Sequence, residues 1–286
     1  MLDEVFSGTI PELYDREMVP MFFAPYAEDI AARVAARQPR SVLEVAAGTG
    51  VVTRQLASVL PSGTPIVATD LNQPMLDRAI ATGTARPVTW QQADVMQLPF
   101  ESGRFDIVVC QFGAMFFPER AAAFAEARRV LRSGGTFMFN VWDRIEENEF
   151  AHTVTSALGG MFPSDPPRFL ARTPHGYHDL SAIRRHLTEA GFETTIAIAT
   201  ITHRSHAASP RVPAVAYCEG TPLRNEIEER SSHGLATATA AAAAAIEREF
   251  GAGPVDGKIQ AHVISAVNAP GSRRATGARR DPPPPS

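Results

Sequence analysis

Residues 41–57, SVLEVAAGTGVVTRQLA, pass from an apolar run through an acidic residue and a glycine turn into a helical pattern. Val42, Leu43 and Val45 suit a buried parallel strand, and Glu44 lies near its end. Gly48-Thr49-Gly50 makes a turn at which a ligand can lie against bare backbone. The helix behind it opens with its N–H groups facing that ligand. Twenty residues after Gly50, Asp70 closes a second apolar run, TPIVATD. A carboxylate at that place can accept hydrogen bonds from both hydroxyls of a ribose. Together these features describe a nucleoside-binding α/β unit.

The pattern continues along the chain. Strands are expected at 41–46, 65–69, 88–93, 105–110 and 135–142, with helices near 51–60, 74–82 and 118–131 between several of them. Such alternation specifies an α/β fold with a doubly wound parallel sheet. Upstream, 11–37 read as helices that Pro20 and Pro25 break in two. Residues 143–178 are rich in Pro, Gly, His and aromatics and read partly as loop. Asp179 is placed to cap a helix and Gly191 to end it. A sixth strand is expected at 192–202 and, from the period-two alternation of KIQAHVISAV, a seventh at 258–267. That leaves 203–257 as a helical insertion before the last strand. Its alanine run, 240–245, reads as a plain surface helix. The expected organisation is one domain over 1–267, with 1–40 as a helical cover, and a disordered tail over 268–286.

Composition limits the partners. Hydrophobic residues make up 44% of the 286 and the net charge is −4. No Lys/Arg block is dense enough to follow a phosphate backbone, which argues against nucleic acid. Two cysteines, a start without a signal-peptide pattern and no run long enough to span a bilayer lead to the expectation of a cytoplasmic protein. No metal ligand set is expected. Assembly into a homo-oligomer is compatible with the chain.

Two cofactors compete for the glycine turn. A dinucleotide favours G-x-G-x-x-G, whose third glycine permits close helix–strand packing. Here Gly50 is followed by Val51, Val52 and Thr53. S-adenosylmethionine carries no pyrophosphate, and Glu44-x-x-x-Gly48-x-Gly50 suits its amino-acid moiety better. Five successive strand ends then acquire roles along one sheet edge. Glu44 meets the donor's ammonium through water, and Gly48 and Gly50 bare their backbone to the methionyl part. Asp70 holds the ribose, while Leu71 and Met75 cover the adenine. Asp94 accepts from the adenine amino group and the Val95 N–H donates to a ring nitrogen. Gln111 and Phe112 floor the site near the sulfonium. Each has a plainer alternative: Asp70 as a turn residue, Asp94 as a cap, Met75 and Phe112 as core.

The segments VLEVAAGTG, ATDLNQPML, ADVMQLPFESGRFDIVVCQFGAMFF and RVLRSGGTFMFNVW resemble class I S-adenosylmethionine-dependent methyltransferases, especially the ubiquinone and menaquinone biosynthesis branch, which acts on small molecules. The resemblance is specific over 41–142 and weakens towards both ends. It implies a Rossmann-like seven-stranded sheet whose last strand is antiparallel, methyl transfer to a small-molecule acceptor, and Tyr14 in a lid across the donor. The family often has glycine where Ala46 stands, so Ala46 is expected at negative φ. The insertion is longer than the family's usual hairpin.

Phe112, Met115, Phe116, Phe117, Trp142, Phe150 and Phe162 gather on the expected acceptor side and suggest an apolar or aromatic molecule, although core packing accounts for some of them. His152, His175 and His178 are candidates for a base, and no catalytic residue is singled out. A nicotinamide-dependent oxidoreductase and a non-catalytic donor-binding protein stand as alternatives. A nucleic-acid amino-methyltransferase would need a polar-Pro-Pro-aromatic loop after the fourth strand, which CQFGAMFF lacks.

Overall fold

The computed structural model describes residues 10–192, 195–230 and 234–269. Its strands are β1 Val42–Glu44, β2 Ile66–Asp70, β3 Thr89–Gln92, β4 Phe105–Gln111, β5 Leu131–Trp142, β6 Ile196–Ala207 and β7 Val255–Val267. They form one sheet in the order β3-β2-β1-β4-β5-β7-β6. The first five pair in parallel, and β7 runs antiparallel to both its neighbours, β5 and β6. This is the Rossmann-like architecture with an antiparallel last strand that the resemblance implied. The chain leaves β1 towards β2 on one side and returns to β4 on the other. The carboxyl ends of β1 and β4 therefore flank a crevice at the point where strand order reverses.

The helices are α1 Ile10–Leu13, α2 Ala24–Ala35, α3 Val51–Val59, α4 Gln73–Thr82, α5 Arg120–Val130, α6 Glu149–Met161, α7 Phe169–Arg172, α8 Leu180–Glu189, α9 Arg211–Glu219, α10 Leu223–Arg230 and α11 Leu235–Phe250. The central strand β4 is apolar on both faces because helices cover both. Ile107 and Val109 pack with Ile30 and Val34 of α2 and with Leu56 of α3. Val108 lies in the opposite layer with Phe124 of α5, Phe137 and Phe139 of β5, and Ile183 and Leu187 of α8. Each such fully buried side chain is worth about 1.5–3 kcal/mol. Asp179 caps α8 through the Ser181 N–H at 2.8 Å, as its sequence position suggested.

Several expectations need correction. Pro20 does not break the N-terminal helix. It sits inside a π-helix, Tyr14–Phe23, that runs directly into α2, with Pro25 in the first turn of α2. The wider turn passes the hydrogen bond to Val19 O from the Ala24 N–H, and Pro20 has no N–H to contribute in any case. The sixth strand is displaced towards the C-terminus, to 196–207, and β7 begins at Val255, so the insertion spans 208–254. Residues 149–161, read as part of a loop-rich stretch, form α6. Its Thr, Ser and Gly content conceals the apolar face of Phe150, Val154 and Leu158.

The alanine run is not a plain surface helix. Ala238, Ala242 and Ala245 of α11 are buried, because small side chains let α9 and α6 approach closely. The tail reading also shifts. Asn268 is tied to β5, its N–H donating to Gly135 O at 2.8 Å and its amide to Leu131 O at 3.0 Å. Residues 270–286 lie outside the described residues. Among the described residues no helix is long and apolar enough to cross a membrane.

Candidate functional site

A cavity of about 170 Å³ opens at the crevice. Ten of the sequence-nominated residues line it: Tyr14, Ala46, Gly48, Asp70, Leu71, Met75, Asp94, Val95, Gln111 and Phe112. They come from the segments following β1 to β4 and from the π-helix above. Strand register sets their common level, since Ala47 N donates to Thr69 O at 2.9 Å and Ala93 N to Asp70 O at 3.0 Å. Leu71 stands at the mouth, 47% exposed, while Met75 is buried beneath it.

Glu44 and Gly50 do not line this cavity. The Glu44 side chain is buried and accepts a hydrogen bond from Thr53 Oγ1 at 2.6 Å. Burial pushes its carboxyl up to about 8, against the opposing pull of Thr53 and Arg54. Gly50 shapes the turn. Its φ is +82°, and a Cβ there would come within 2.9 Å of the Trp90 ring. Ala46 contradicts the negative φ expected of it: φ is +53°. Its neighbours force the conformation, because Val45 N is bonded to Val109 O and Ala47 N to Thr69 O. A left-handed non-glycine residue costs about 1–2 kcal/mol. Phe112 is also left-handed, at +51°. It is held by its N–H to Asn140 Oδ1 at 2.9 Å and by stacking on Trp142 at 3.9 Å. Gly113 beside it is required by close approach, since a Cβ would fall 2.5 Å from Ala46 Cβ.

Asp70 ties the edge together. Its Oδ2 accepts from the Gly48 N–H and its Oδ1 from the Asn72 N–H, both at 2.8 Å, with Asn72 Nδ2 a third, longer donor to Oδ1 at 3.5 Å. Burial raises its pKa and these bonds oppose the rise. A carboxylate offers about four lone-pair directions, so acceptor capacity remains. Asp94 does form a turn, its Oδ1 accepting from Met96 N at 2.8 Å, and it lines the cavity as well. Gln111 joins sheet to cover, donating to Phe23 O at 3.2 Å and accepting from Asn140 Nδ2 at 3.3 Å. The cover is latched by Asp15 of the π-helix, paired with Arg78 at 3.0 Å and Arg54 at 3.4 Å. Burial and the charges of Asp70 and Asp15 hold the Tyr14 phenol far above its ordinary value. The lining contains two carboxylates and no Lys, Arg or His. That set suits a ligand with net positive charge and offers no side-chain cation for a pyrophosphate.

A second cavity, about 60 Å³, shares the wall of Tyr14, Phe112 and Phe116 with the first. Met115 and Trp142, expected on the acceptor side, line it, whereas Phe117 lines the first cavity and Phe150 and Phe162 line neither. Asn148 and, from the π-helix, α7 and the insertion, Phe22, Phe23, Phe169, Leu170, Tyr217 and Thr221 are among the further lining residues and were not nominated as site residues from the sequence. No local spacing announces them. Of the three candidate histidines only His175 faces this cavity. His152 is exposed, and His178 spends its Nδ1 on His175 O at 2.8 Å. Burial is the main reason the His175 imidazole is pushed down to about 4. Both cysteines are free and buried, and burial pushes the Cys110 thiol up to about 12, which leaves it inert. Among the described residues no group of three His, Cys, Asp or Glu side chains could hold a metal ion.

Comparison with known proteins bears on the family and the fold. The family described as "Methyltransferase domain" matches residues 43–139. The ubiquinone/menaquinone biosynthesis C-methyltransferase UbiE of Stutzerimonas stutzeri is 26% identical over 206 residues, 68% of this chain and 76% of that one. Its counterpart in Cupriavidus necator is 30% identical over 174 residues, 57% of this chain and 71% of that one. Among solved structures, the YcgJ protein of Bacillus subtilis superposes with a TM-score of 0.54 at 18% identity, covering 86% of this chain and all of that one (100%).

Proposed function

This chain belongs to the class I S-adenosylmethionine-dependent methyltransferases, and on that premise we propose that its acceptor is a small apolar or aromatic molecule held in the second cavity, with the donor in the first. The observation that carries this reading is the wall of Tyr14, Phe112 and Phe116, which has one cavity on each side. Methyl transfer needs donor and acceptor on a common line, and two cavities bounded by the same three side chains would hold the pair at adjoining positions. The relatives are named as C-methyltransferases of ubiquinone and menaquinone biosynthesis, which supports a small-molecule acceptor.

The fit of the donor rests on the first cavity's chemistry. S-adenosylmethionine carries a sulfonium and an ammonium against one carboxylate, a net charge of +1, and the lining offers Asp70 and Asp94 without a cation. In this reading Asp70 takes the ribose hydroxyls, while Leu71 and Met75 flank the adenine. Asp94 and Val95 address the adenine edge, and Ala46 and Gly48 present backbone to the methionyl part. Gln111 and Phe112 close the floor, and Tyr14 closes the top. Glu44 acts from behind the turn, through Thr53 and the loop, without touching the donor directly.

When bound, the donor supplies a methyl group already activated on its sulfonium. The protein's share is alignment and exclusion of water. Tyr14, Phe23, Phe112 and Trp142 form a connected aromatic wall, and the π-helix shuts the site from above. Positioning of this kind contributes roughly 7–11 kcal/mol of barrier lowering. The direct test is methyl transfer from deuterated donor to a panel of small aromatic alcohols, amines and quinols, with product mass read out. Leu170→Trp fills the second cavity; it should abolish turnover and leave S-adenosylhomocysteine affinity unchanged. Turnover that survives the filled cavity would place the acceptor elsewhere.

A further inference from the structure

The second cavity is mostly apolar; besides the phenolic hydroxyls of Tyr14 and Tyr217 and the indole N–H of Trp142, which can donate, its side-chain polar atoms belong to Asn148, Thr221 and His175. The side chain of Asn148 is fully engaged: Nδ2 donates to Asp143 O, Arg144 O and Gln260 O, and Oδ1 accepts from Gln260 N. Thr221 Oγ1 donates to Tyr217 O at 2.7 Å and accepts from Leu223 N at 3.2 Å. His175 is different. Its Nδ1 lies 2.9 Å from the carbonyl oxygen of Asp143. A carbonyl has no proton to give, so Nδ1 carries the hydrogen and Nε2 of the neutral ring is a bare acceptor. Among the described residues Nε2 has no hydrogen-bond partner, and the residue lines the cavity.

We propose that His175 Nε2 receives the hydroxyl proton of a phenol-type acceptor, making this an O-methylating site. The proposal rests on the second cavity being the acceptor site. An acceptor-only nitrogen in an apolar pocket selects a partner that brings its own O–H or N–H. A neutral amine can attack first and lose its proton later. A carbon nucleophile brings a C–H, which orients poorly. A hydroxyl needs the base during the transfer. A lone pair of the hydroxyl oxygen forms the new O–CH3 bond, the electron pair of the S–CH3 bond returns to sulfur, and the O–H proton passes to Nε2. The products are the methyl ether, S-adenosylhomocysteine and imidazolium.

The surroundings suit that proton movement. The ring is held by Asp143 O and lies 6.0 Å, centroid to centroid, from Trp142. The groups facing it are the Asp143 carboxylate, Glu146 and His178. Asp143 also accepts from Gln260 Nε2 at 2.7 Å and pairs with His262 Nε2 at 3.2 Å. Burial would raise its pKa, but these partners and the Arg144 N–H hold it below its ordinary value, so an anion stands beside the imidazolium as it forms. The ring itself is neutral above about pH 4 and is therefore in its base form throughout the neutral range.

The test uses 4-nitrophenol and nitrobenzene as probes, with the full chain saturated by S-adenosylhomocysteine. Absorbance at a pH where the free phenol is protonated reports the hydrogen bond. We expect wild type to bind 4-nitrophenol roughly tenfold tighter than nitrobenzene, with a red-shifted phenol band. His175→Ala should erase both the preference and the shift while donor affinity stays unchanged. His175→Gln should recover part of the preference, as an acceptor, and none of the transfer. With S-adenosylmethionine, the product should be 4-nitroanisole. No preference for the phenol in wild type, or an unchanged preference in His175→Ala, would overturn the proposal, as would a ring-methylated product. Leu170→Trp separates the two levels. If it blocks both probes while His175→Ala changes nothing, the histidine role fails and the cavity reading stands. If it blocks neither, the cavity reading fails first.

Discussion

Thr53 Oγ1 donates to Glu44 Oε2 across 2.6 Å in the closed layer behind the glycine turn. Glu44 is thus a buried carboxyl whose pKa is pushed up, by burial first of all, to about 8 from an ordinary 4.5. Stability that depends on its protonated form is fully present below about pH 4.5 and is lost as pH rises through about 8. The Asp70 shift acts in the same direction. His175, pushed down to about 4 from 6.5, acts oppositely: its contribution is present above 6.5 and is lost as pH falls through 4. Thermal unfolding of the ligand-free protein should therefore show Tm declining from about pH 6.5 to 8, where His175 no longer opposes Glu44, and Glu44→Gln should flatten that decline. Equal slopes in the two proteins would contradict the assignment.

Donor binding should also move Glu44. A bound ammonium on the far side of the turn favours the carboxylate, so at pH 7 binding should be accompanied by net proton release. Calorimetric enthalpies in buffers of different ionisation heat would measure it, and Glu44→Gln should abolish the release. A buffer-independent wild-type enthalpy would leave no electrostatic link between Glu44 and the donor.

Ala46 gives a prediction whose sign is its test. An ordinary Ala→Gly change costs roughly 0.5–1 kcal/mol. At φ +53°, Ala46→Gly should instead be neutral or stabilising by up to about 1 kcal/mol. Chemical denaturation would decide it, with loss of stability as the contrary result.

The Asp15 latch predicts local loosening. Asp15 is nearly buried and holds Arg54 and Arg78. Asp15→Ala should leave the sheet's amide protection intact while residues 14–23 exchange faster, by an amount on the order of 1–3 kcal/mol. Unchanged exchange in that segment would mean that aromatic packing alone, Tyr14 on Phe23 at 4.9 Å, keeps the cover closed.

The lining of the first cavity was legible in the sequence because its parts are local. β1, its turn and α3 occupy one short stretch, and Asp70 and Gln111 each close an apolar run of recognisable period, whereas Asp94 follows the polar, mostly exposed β3. Glu44 shows the limit of that legibility: strand alternation turned it behind the turn and not into the cavity. Ala46 shows another, since its backbone conformation is imposed by Val109 and Thr69 from neighbouring strands. The second cavity was only partly legible. Trp142 and Met115 lie beside readable strands, but Phe22, Leu170 and Tyr217 meet only through tertiary packing of three distant segments. The displaced β6 has a similar cause: its pairing with β7, Ile196 opposite Ala266, overrides the local appeal of Phe192, which is buried against Phe137 just before the strand.

The central claim is that the crevice ending β1, β2 and β4 grips the donor through Asp70. The measurement is calorimetric titration of S-adenosylhomocysteine into wild type, Asp70→Ala and, as a surface control, Glu101→Ala, which lies exposed in the loop before β4. Wild type and the control should bind alike. Asp70→Ala should lose about 1.5–3 kcal/mol, between roughly tenfold and a hundredfold. Equal affinity in all three proteins would contradict the account.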